Sequence, residues 1–444
     1  MGSVIPAVGL KALGSAALPG SVRHADRDAL DAALRSGRAQ LLALFEGFER
    51  ALGRDGLRIA FDPVLNLPLW ELGHIGWFEE YWLSRNPDRR LGLACPLGAR
   101  RAASVLHGAD ELYDSSNVPH ARRWALNLPD VDATRAYLFE VRDATLALLR
   151  QSGDSDDDLY FFRLVLMHED MHREAWHFMA QHLGIDPGPA MTGRAPRPSR
   201  TRGEWHLAGG MHSLGFSGDG FAFDNELQAH LVRVGGFSID RAPVSWRRFL
   251  PFLASGGYDS ECWWSASGWA WRNAQGRGHP LHLRPAEGGW QQQRFGEWTP
   301  VELDAPAMHL SAHEAEAWCR WSGRRLPTEV EWEAAAVHAV EQNEPFEWGE
   351  VWEWTASPFV PYAGFSAHPY RDYSQPWFDG RPVLRGGSFA TTPHMKHPRY
   401  RNFFSADRND VFAGFRSCAV TPGRSPSAEG VAAEGRSEAR AASP

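Results

Sequence analysis

Apolar positions in the first 185 residues recur with the 3.6-residue period of a buried helix face, and beyond residue 203 that period fades. Leu30, Ala33, Leu34, Leu41, Leu42, Leu44, Phe45, Phe48 and Leu52 predict a helix over 26–52, with Ser21 or Asp26 at its start. A second helix, after Pro63 or Pro68, carries Trp70, Leu72, His74, Ile75, Trp77, Phe78, Tyr81 and Trp82. Ala136, Leu138, Val141, Ala144, Leu146 and Leu149 predict a third over 132–150. The fourth spans 156–183, with Asp156, Asp157 and Asp158 at the end where a helix favours negative charge and Gly184 closing it. Four such helices predict an antiparallel bundle. Residues 86–131 read as a long irregular connection, and a connection of that length in a compact bundle points to function.

The composition changes at 186–202, where Pro, Gly and Arg dominate and predict a linker. From 203 to 421 short strands, turns and aromatics are expected, with helices only at 245–254 and 311–323. Residues 1–24 read as a flexible tail. Residues 422–444 read as a disordered one. The chain is therefore expected to be α+β with two domains, 25–185 and 203–421.

A formal net charge of −8 argues against nucleic acid as a partner. Four cysteines without a CxxC pair predict a reduced, cytoplasmic protein. Met1 to Gly20 lacks the continuous apolar core of a signal peptide, and no run of 18 apolar residues predicts a membrane span. The 20 tryptophans suit cores and pockets for flat or cationic ligands.

His168 and His172 fall four apart on one helix face, the spacing at which two imidazoles share a metal ion. His74, amid bulky apolar residues on another helix, is the natural third ligand, and three neutral imidazoles leave positions open for substrates. Glu174 follows two residues after His172. His168-Glu169-x-x-His172 also spells the zinc-protease motif, with Glu169 as general base, but neither His177 nor His182 stands at a metzincin spacing.

A series of motifs marks the second half: Phe223-Asp-Asn-Glu226, Phe237 to Ser245, Pro306 to Ser311, Arg325 to Glu333, Trp352 to Thr355, Leu384 to Phe389 and Ala413 to Arg416. Together they resemble the formylglycine-generating-enzyme domain, a C-type-lectin-like fold. Arg325, Glu329, Arg385 and Arg416 are expected to knit that loop-rich fold together. Formylglycine generation itself is not expected, because only Cys418 follows the Gly387 region where that chemistry relies on a thiol pair. A bundle with His-x3-His joined to this domain resembles the sulfoxide synthase superfamily of ergothioneine biosynthesis over residues 27–421.

The resemblance implies an N-terminal DinB-like four-helix bundle and an enzyme using Fe(II) and O2 to join a chalcogen donor to the imidazole of hercynine. It implies His74, His168 and His172 as iron ligands and Glu174 as a residue orienting one of them. Tyr362, Tyr370 and Tyr373 fall in the loop where the superfamily carries a proton- or electron-donating tyrosine. Phe403, Phe404 and Trp377 are expected at the trimethylammonium group, with Asn402 at the carboxylate. The chain departs from the ergothioneine pattern at Met171, where Gln is common, and at Asn402-Phe403-Phe404, where Asn-Trp-Asp is common. It departs also in the donor segment with Ser115, Asn117, His120 and Arg123, which has few arginines. These losses favour a neutral donor, as in the selenoneine synthase branch, whose donor is a selenosugar (1-seleno-glucose) and whose product is a selenoxide. A monomer or weak oligomer is expected. The alternatives are a sulfoxide synthase taking γ-glutamylcysteine or cysteine, and a non-catalytic ligand-binding module.

Overall fold

The computed structural model describes residues 21–55, 57–188 and 195–420. Helix α1 (Arg27–Leu52) starts where the Asp26 carboxylate accepts the Ala29 N–H and buries Leu30, Leu34, Leu41, Phe45 and Phe48. Helix α2 (Pro68–Trp82) opens with proline at its first turn and is buried almost all round, which explains its lack of a polar face. Helices α3 (Val131–Arg150) and α4 (Asp156–Leu183) are capped by Asp130 and Ser155, and Gly184 ends α4 in the left-handed conformation, φ 67°. Helix α2 packs on α3 and α4, and α4 packs on α1. A buried ionic cluster ties the four together: Arg142 spans Glu79 and Glu169 at 2.8 and 2.7 Å, and Arg38 reaches the same two carboxylates.

The connection between α2 and α3 is less irregular than expected. It forms helical turns at Arg89–Ala94, Ala109–Tyr113 and His120–Ala125. Arg85 folds it back by pairing with Asp110 at 2.8 Å and donating to the Ala102 carbonyl.

The second half is built on two four-stranded sheets. In one, strands run in the order Asn402–Phe403, Pro382–Arg385, Trp352–Pro358, Ala413–Phe415, the last pair parallel. The other runs Glu204–Leu207, Phe237–Asp240, Cys418–Ala419, Arg324–Arg325. Four helices surround them: α5 (Trp246–Ala254), α6 (Ala266–Gln275), α7 (Ala312–Trp321) and α8 (Glu329–Gln342). Helices α6 and α8 were not expected. The first buries only Gly268, so it has no apolar stripe to read, and the second opens on a Thr328/Glu331 capping box inside the Arg325 to Glu333 motif. Arg385, Arg401 and Arg416 are fully buried against Glu333, Glu329 and Glu353. The fold is α+β, a DinB-like helical bundle followed by a C-type-lectin-like domain.

Two expected boundaries shift. Residues 1–20 of the predicted tail and all of 422–444 lie outside the described residues. Val22–His24, however, form a helical turn whose Arg23 is buried on Glu226 at 2.8 Å and donates to the Phe221 carbonyl, because that carboxylate needs a cation. Of the predicted linker, 189–194 lie outside the described residues, while Arg197 and Thr201 are anchored to Glu350 and Glu347. No helix among the described residues is long and apolar enough to cross a membrane.

Candidate metal centre

Helix α4 carries His168 and His172 one turn apart toward α2, and α2 presents His74 to them. The ring centroids lie 4.5 Å (His168 to His172), 5.2 Å (His74 to His168) and 5.0 Å (His74 to His172) apart. Among the described residues, these three alone place a ligand atom each within 4.8 Å of one another. The contacts around them set their tautomers. His74 Nδ1 donates to the Tyr113 carbonyl at 2.8 Å, and His172 Nδ1 donates to Glu71 Oε1 at 2.6 Å, so both rings keep Nε2 as a bare lone pair. His168 Nε2 stands 3.2 Å from His172 Nε2. Burial, with the neighbouring imidazoles, drives His74 and His168 well below the usual imidazole value and keeps them neutral. Three imidazole nitrogens this close together fit a divalent first-row ion, Fe(II) included.

The walls of the site are aromatic. His168 stacks on Phe78 with centroids 3.5 Å apart, and His74 stacks on Trp70 at 5.0 Å. Gly73 permits this packing, since a Cβ there would sit 2.2 Å from the Tyr113 ring. Arg123 lies over the far face of the same assembly, 3.7 Å above the Trp70 ring, and burial lowers it to about 10 against the pull of Glu71. One anticipated role falls to another residue. Glu174 does not face a histidine: it accepts from Trp352 Nε1 and Thr391 Oγ1, each at 2.9 Å, and from Ser388, so it fastens α4 to the second domain. Asp170 meets His394, and Arg173 meets Thr392, on the same seam. Glu71 instead orients His172. Its place three residues before His74, on one face of α2, was the available signal. Glu169, the general base of the protease reading, is buried between Arg38 and Arg142 and cannot serve a bound water.

Of the three tyrosines, Tyr370 stands beside the histidines, its ring 6.3 Å from His168 and 4.8 Å from Phe78. Tyr373 bonds Tyr400 at 3.2 Å and stacks on Phe223. Tyr362 is buried in the Arg385–Arg401–Glu329 network, with its hydroxyl 3.3 Å from Glu329. Phe403 stacks on Phe359 at 4.0 Å and lies 6.1 Å from Tyr373. Asn402 turns its side-chain oxygen to the Phe403 N–H, Phe404 lies under Arg408, and Trp377 is 41% exposed beneath Arg381. Met171 is partly buried against the core. In the donor segment Ser115 is exposed, Asn117 bonds Asp114, His120 bonds the Leu65 carbonyl at 2.8 Å, and Ser116 reaches across to Asp372 at 2.7 Å. The segment thus touches the loop that carries Tyr370. All four cysteines are unpaired thiols.

Two family models match this chain: the DinB superfamily over 33–185, and the sulfatase-modifying factor enzyme 1-like domain over 190–350 and 347–421. The hercynine oxygenase of Mycolicibacterium smegmatis is 33% identical over 446 residues, covering 88% of this chain and 98% of that one. The chain belongs to the hercynine oxygenase family. The Mycobacterium tuberculosis hercynine oxygenase is 34% identical, covering 80% of this chain and 91% of its own length. A formylglycine-generating enzyme of Streptomyces coelicolor is 28% identical over 46% of this chain, so the second domain is shared more widely than the bundle. Membership in the hercynine oxygenase family makes this chain an oxidoreductase of that type, with the triad held between α2 and α4 and Tyr370 of the second domain beside it.

Proposed function

We propose that the chain is a non-haem Fe(II)- and O2-dependent enzyme joining hercynine, through its imidazole C2, to a selenosugar donor such as 1-seleno-glucose. The balance is one selenol, one hercynine and one O2 giving the C2-bonded selenoxide and one water: the C–H and Se–H bonds break, C–Se and Se=O form, and O2 takes up four electrons. The observation that carries this reading is the imidazole triad with Tyr370 at its edge, in a chain matched along its length by hercynine oxygenases.

His74, His168 and His172 would hold the iron. When bound it supplies O2 activation and a Lewis acid beside the substrates. The protein's own residues do the rest. Glu71 and the Tyr113 carbonyl hold two rings in the tautomer that offers Nε2. Phe78 and Trp70 exclude water from the other faces. The Tyr370 hydroxyl, kept protonated because burial raises its pKa, would be the group that delivers a proton at the reacting centre, its ring standing 6.3 Å from that of His168. For the permanent cation of hercynine the proposed contacts are the aromatic rings of Phe403, Phe404 and Trp377, with Asn402 for its carboxylate.

A neutral donor is supported by the donor segment. Its inward-facing guanidinium, Arg123, is already held by Trp70 and Asn66, which leaves little to clamp the two carboxylates of a zwitterionic peptide. The sulfur-donor reading stands as the alternative because the relatives are hercynine oxygenases. The deciding experiment supplies the Fe(II)-loaded enzyme with hercynine, O2 and, in parallel, 1-seleno-glucose, 1-thio-glucose, γ-glutamylcysteine and cysteine, with products read by mass spectrometry. Highest kcat/KM with the selenosugar supports the proposal, and highest kcat/KM with γ-glutamylcysteine or cysteine overturns its donor.

A further inference from the structure

A second group of histidines lies where the C-terminal end of α4 meets the second domain. His309 is fully buried and His282 half-buried, with ring centroids 4.7 Å apart, inside the 4.5–5.2 Å range of the first triad. Both adopt the left-handed backbone conformation, φ 60° for His282 and 61° for His309, which side-chain-bearing residues avoid unless the surroundings enforce it. His282 Nδ1 donates to the side-chain oxygen of Gln293 at 2.7 Å, and His309 Nδ1 donates to the Asn409 carbonyl at 3.2 Å. Each ring proton is therefore on Nδ1. The two Nε2 atoms carry lone pairs, are buried, and receive no hydrogen bond from the protein.

Neither lone pair can satisfy the other. Each needs a hydrogen-bond donor or an electron-pair acceptor, and an imidazole anchored through Nδ1 to an oxygen with its Nε2 left bare is the arrangement by which proteins present histidine to metals. A third imidazole stands close: the His182 ring is 6.4 Å from His282, its Nδ1 is buried without a hydrogen bond, and its Nε2 is 3.7 Å from Asp62. His182 is 30% exposed at its side chain and has to turn for Nδ1 to reach the pair, since these three nitrogens do not yet converge within 4.8 Å. It lies ten residues beyond His172, about 15 Å along α4, so the group is separate from the first triad.

We propose that His282 and His309, completed by His182, form a second site for a divalent ion of the zinc class. Its ligands come from both domains, so a bound ion clamps the end of α4 to the C-type-lectin-like domain. Three imidazoles with Asp62 nearby suit Zn(II) among the first-row ions.

The test titrates Zn(II) into the iron-loaded, full-length protein against a chromophoric chelator, with iron and zinc counted by mass spectrometry in the same sample. The expected result is one zinc per chain beyond retained iron, a rise in Tm on zinc addition, loss of that equivalent in His282→Gln, and affinity lower by about 10-fold or more in His182→Ala. His182→Ala alters a partly exposed side chain and keeps the test decisive should His282→Gln fail to fold. Zinc-edge anomalous diffraction from wild-type crystals gives an independent reading, with a peak between His282 and His309 expected. Wild-type protein taking up no zinc beyond the triad, a crystal without that peak, or both variants matching wild type would overturn the proposal; a water molecule bridging the two rings would give those results.

Discussion

Glu71 Oε1 and His172 Nδ1 are 2.6 Å apart, a buried carboxylate on α2 fixing the ring orientation of a histidine on α4. Replacing Glu71 by alanine frees that ring to rotate and to change tautomer. We expect Glu71→Ala to weaken metal binding by about 10- to 100-fold, and Glu71→Gln, which can still accept from Nδ1, to weaken it less. Competition against a chelator of known affinity measures both.

Glu174 makes the contrasting case. Its carboxylate accepts from Trp352, Ser388 and Thr391, so Glu174→Ala strands buried donors on the second domain. A loss of about 2–4 kcal/mol in unfolding free energy is expected, with metal affinity per folded chain nearly unchanged. Denaturant melts and metal counts on the same preparation separate this from a ligand-orienting role. A drop in metal affinity as large as that of Glu71→Ala would show that Glu174 acts on the histidines.

Acid should unfold the protein through its buried carboxylates. Burial opposes ionisation of Glu79 and Glu333, yet Arg142 and Arg38 hold the first, and Arg385, His212 and Arg399 the second, down to about 2. A folded value below the unfolded value of 4.5 means that stability is present above pH 4.5 and lost as pH falls toward 2. Each contributes on the order of 3 kcal/mol over that window by linkage. A Tm that is level above pH 5 and falls steeply below 4.5 is expected. Glu79→Gln should lower the plateau and reduce the slope.

The aromatic packing around His74 depends on Gly73. Gly73→Ala forces the Tyr113 ring away and with it the carbonyl that anchors His74 Nδ1. Lower Tm together with weaker metal binding is expected, read by thermal melts and chelator competition.

The parts of the fold governed by local rules were legible. His168 and His172 announce themselves by helical spacing, and the Asp156 start and Gly184 stop of α4 match the observed Asp156–Leu183. Partners chosen by tertiary packing were not. Nothing in the order of residues says that Glu174 turns to Trp352 rather than to a histidine, or that Arg38 and Arg142 claim Glu169, because those choices depend on which helix faces meet. The three tyrosines of the 360–378 loop look alike in sequence. Only the packing around Phe78, stacked on His168 and edge-to-face with Tyr370, distinguishes one of them. Helix α6 escaped notice because it buries almost nothing.

Tyr370 then separates chemistry from binding. Tyr370→Phe keeps the ring against Phe78 and removes only the hydroxyl, so kcat should fall by about 10²-fold with metal content and hercynine affinity maintained. Tyr362→Phe should alter stability through the Arg385–Arg401 network and leave kcat per folded enzyme near wild type.

The central claim is that the imidazole triad is the site at which hercynine is oxidatively coupled. The most direct measurement loads wild-type protein and His172→Ala anaerobically with Fe(II), adds hercynine and 1-seleno-glucose, admits O2, and follows hercynine loss against iron content. Iron near one per chain with multiple turnovers in wild type, and neither in a folded His172→Ala, is the predicted result. Full iron loading in wild type without consumption of hercynine in the presence of this donor or of any sulfur donor would contradict the account.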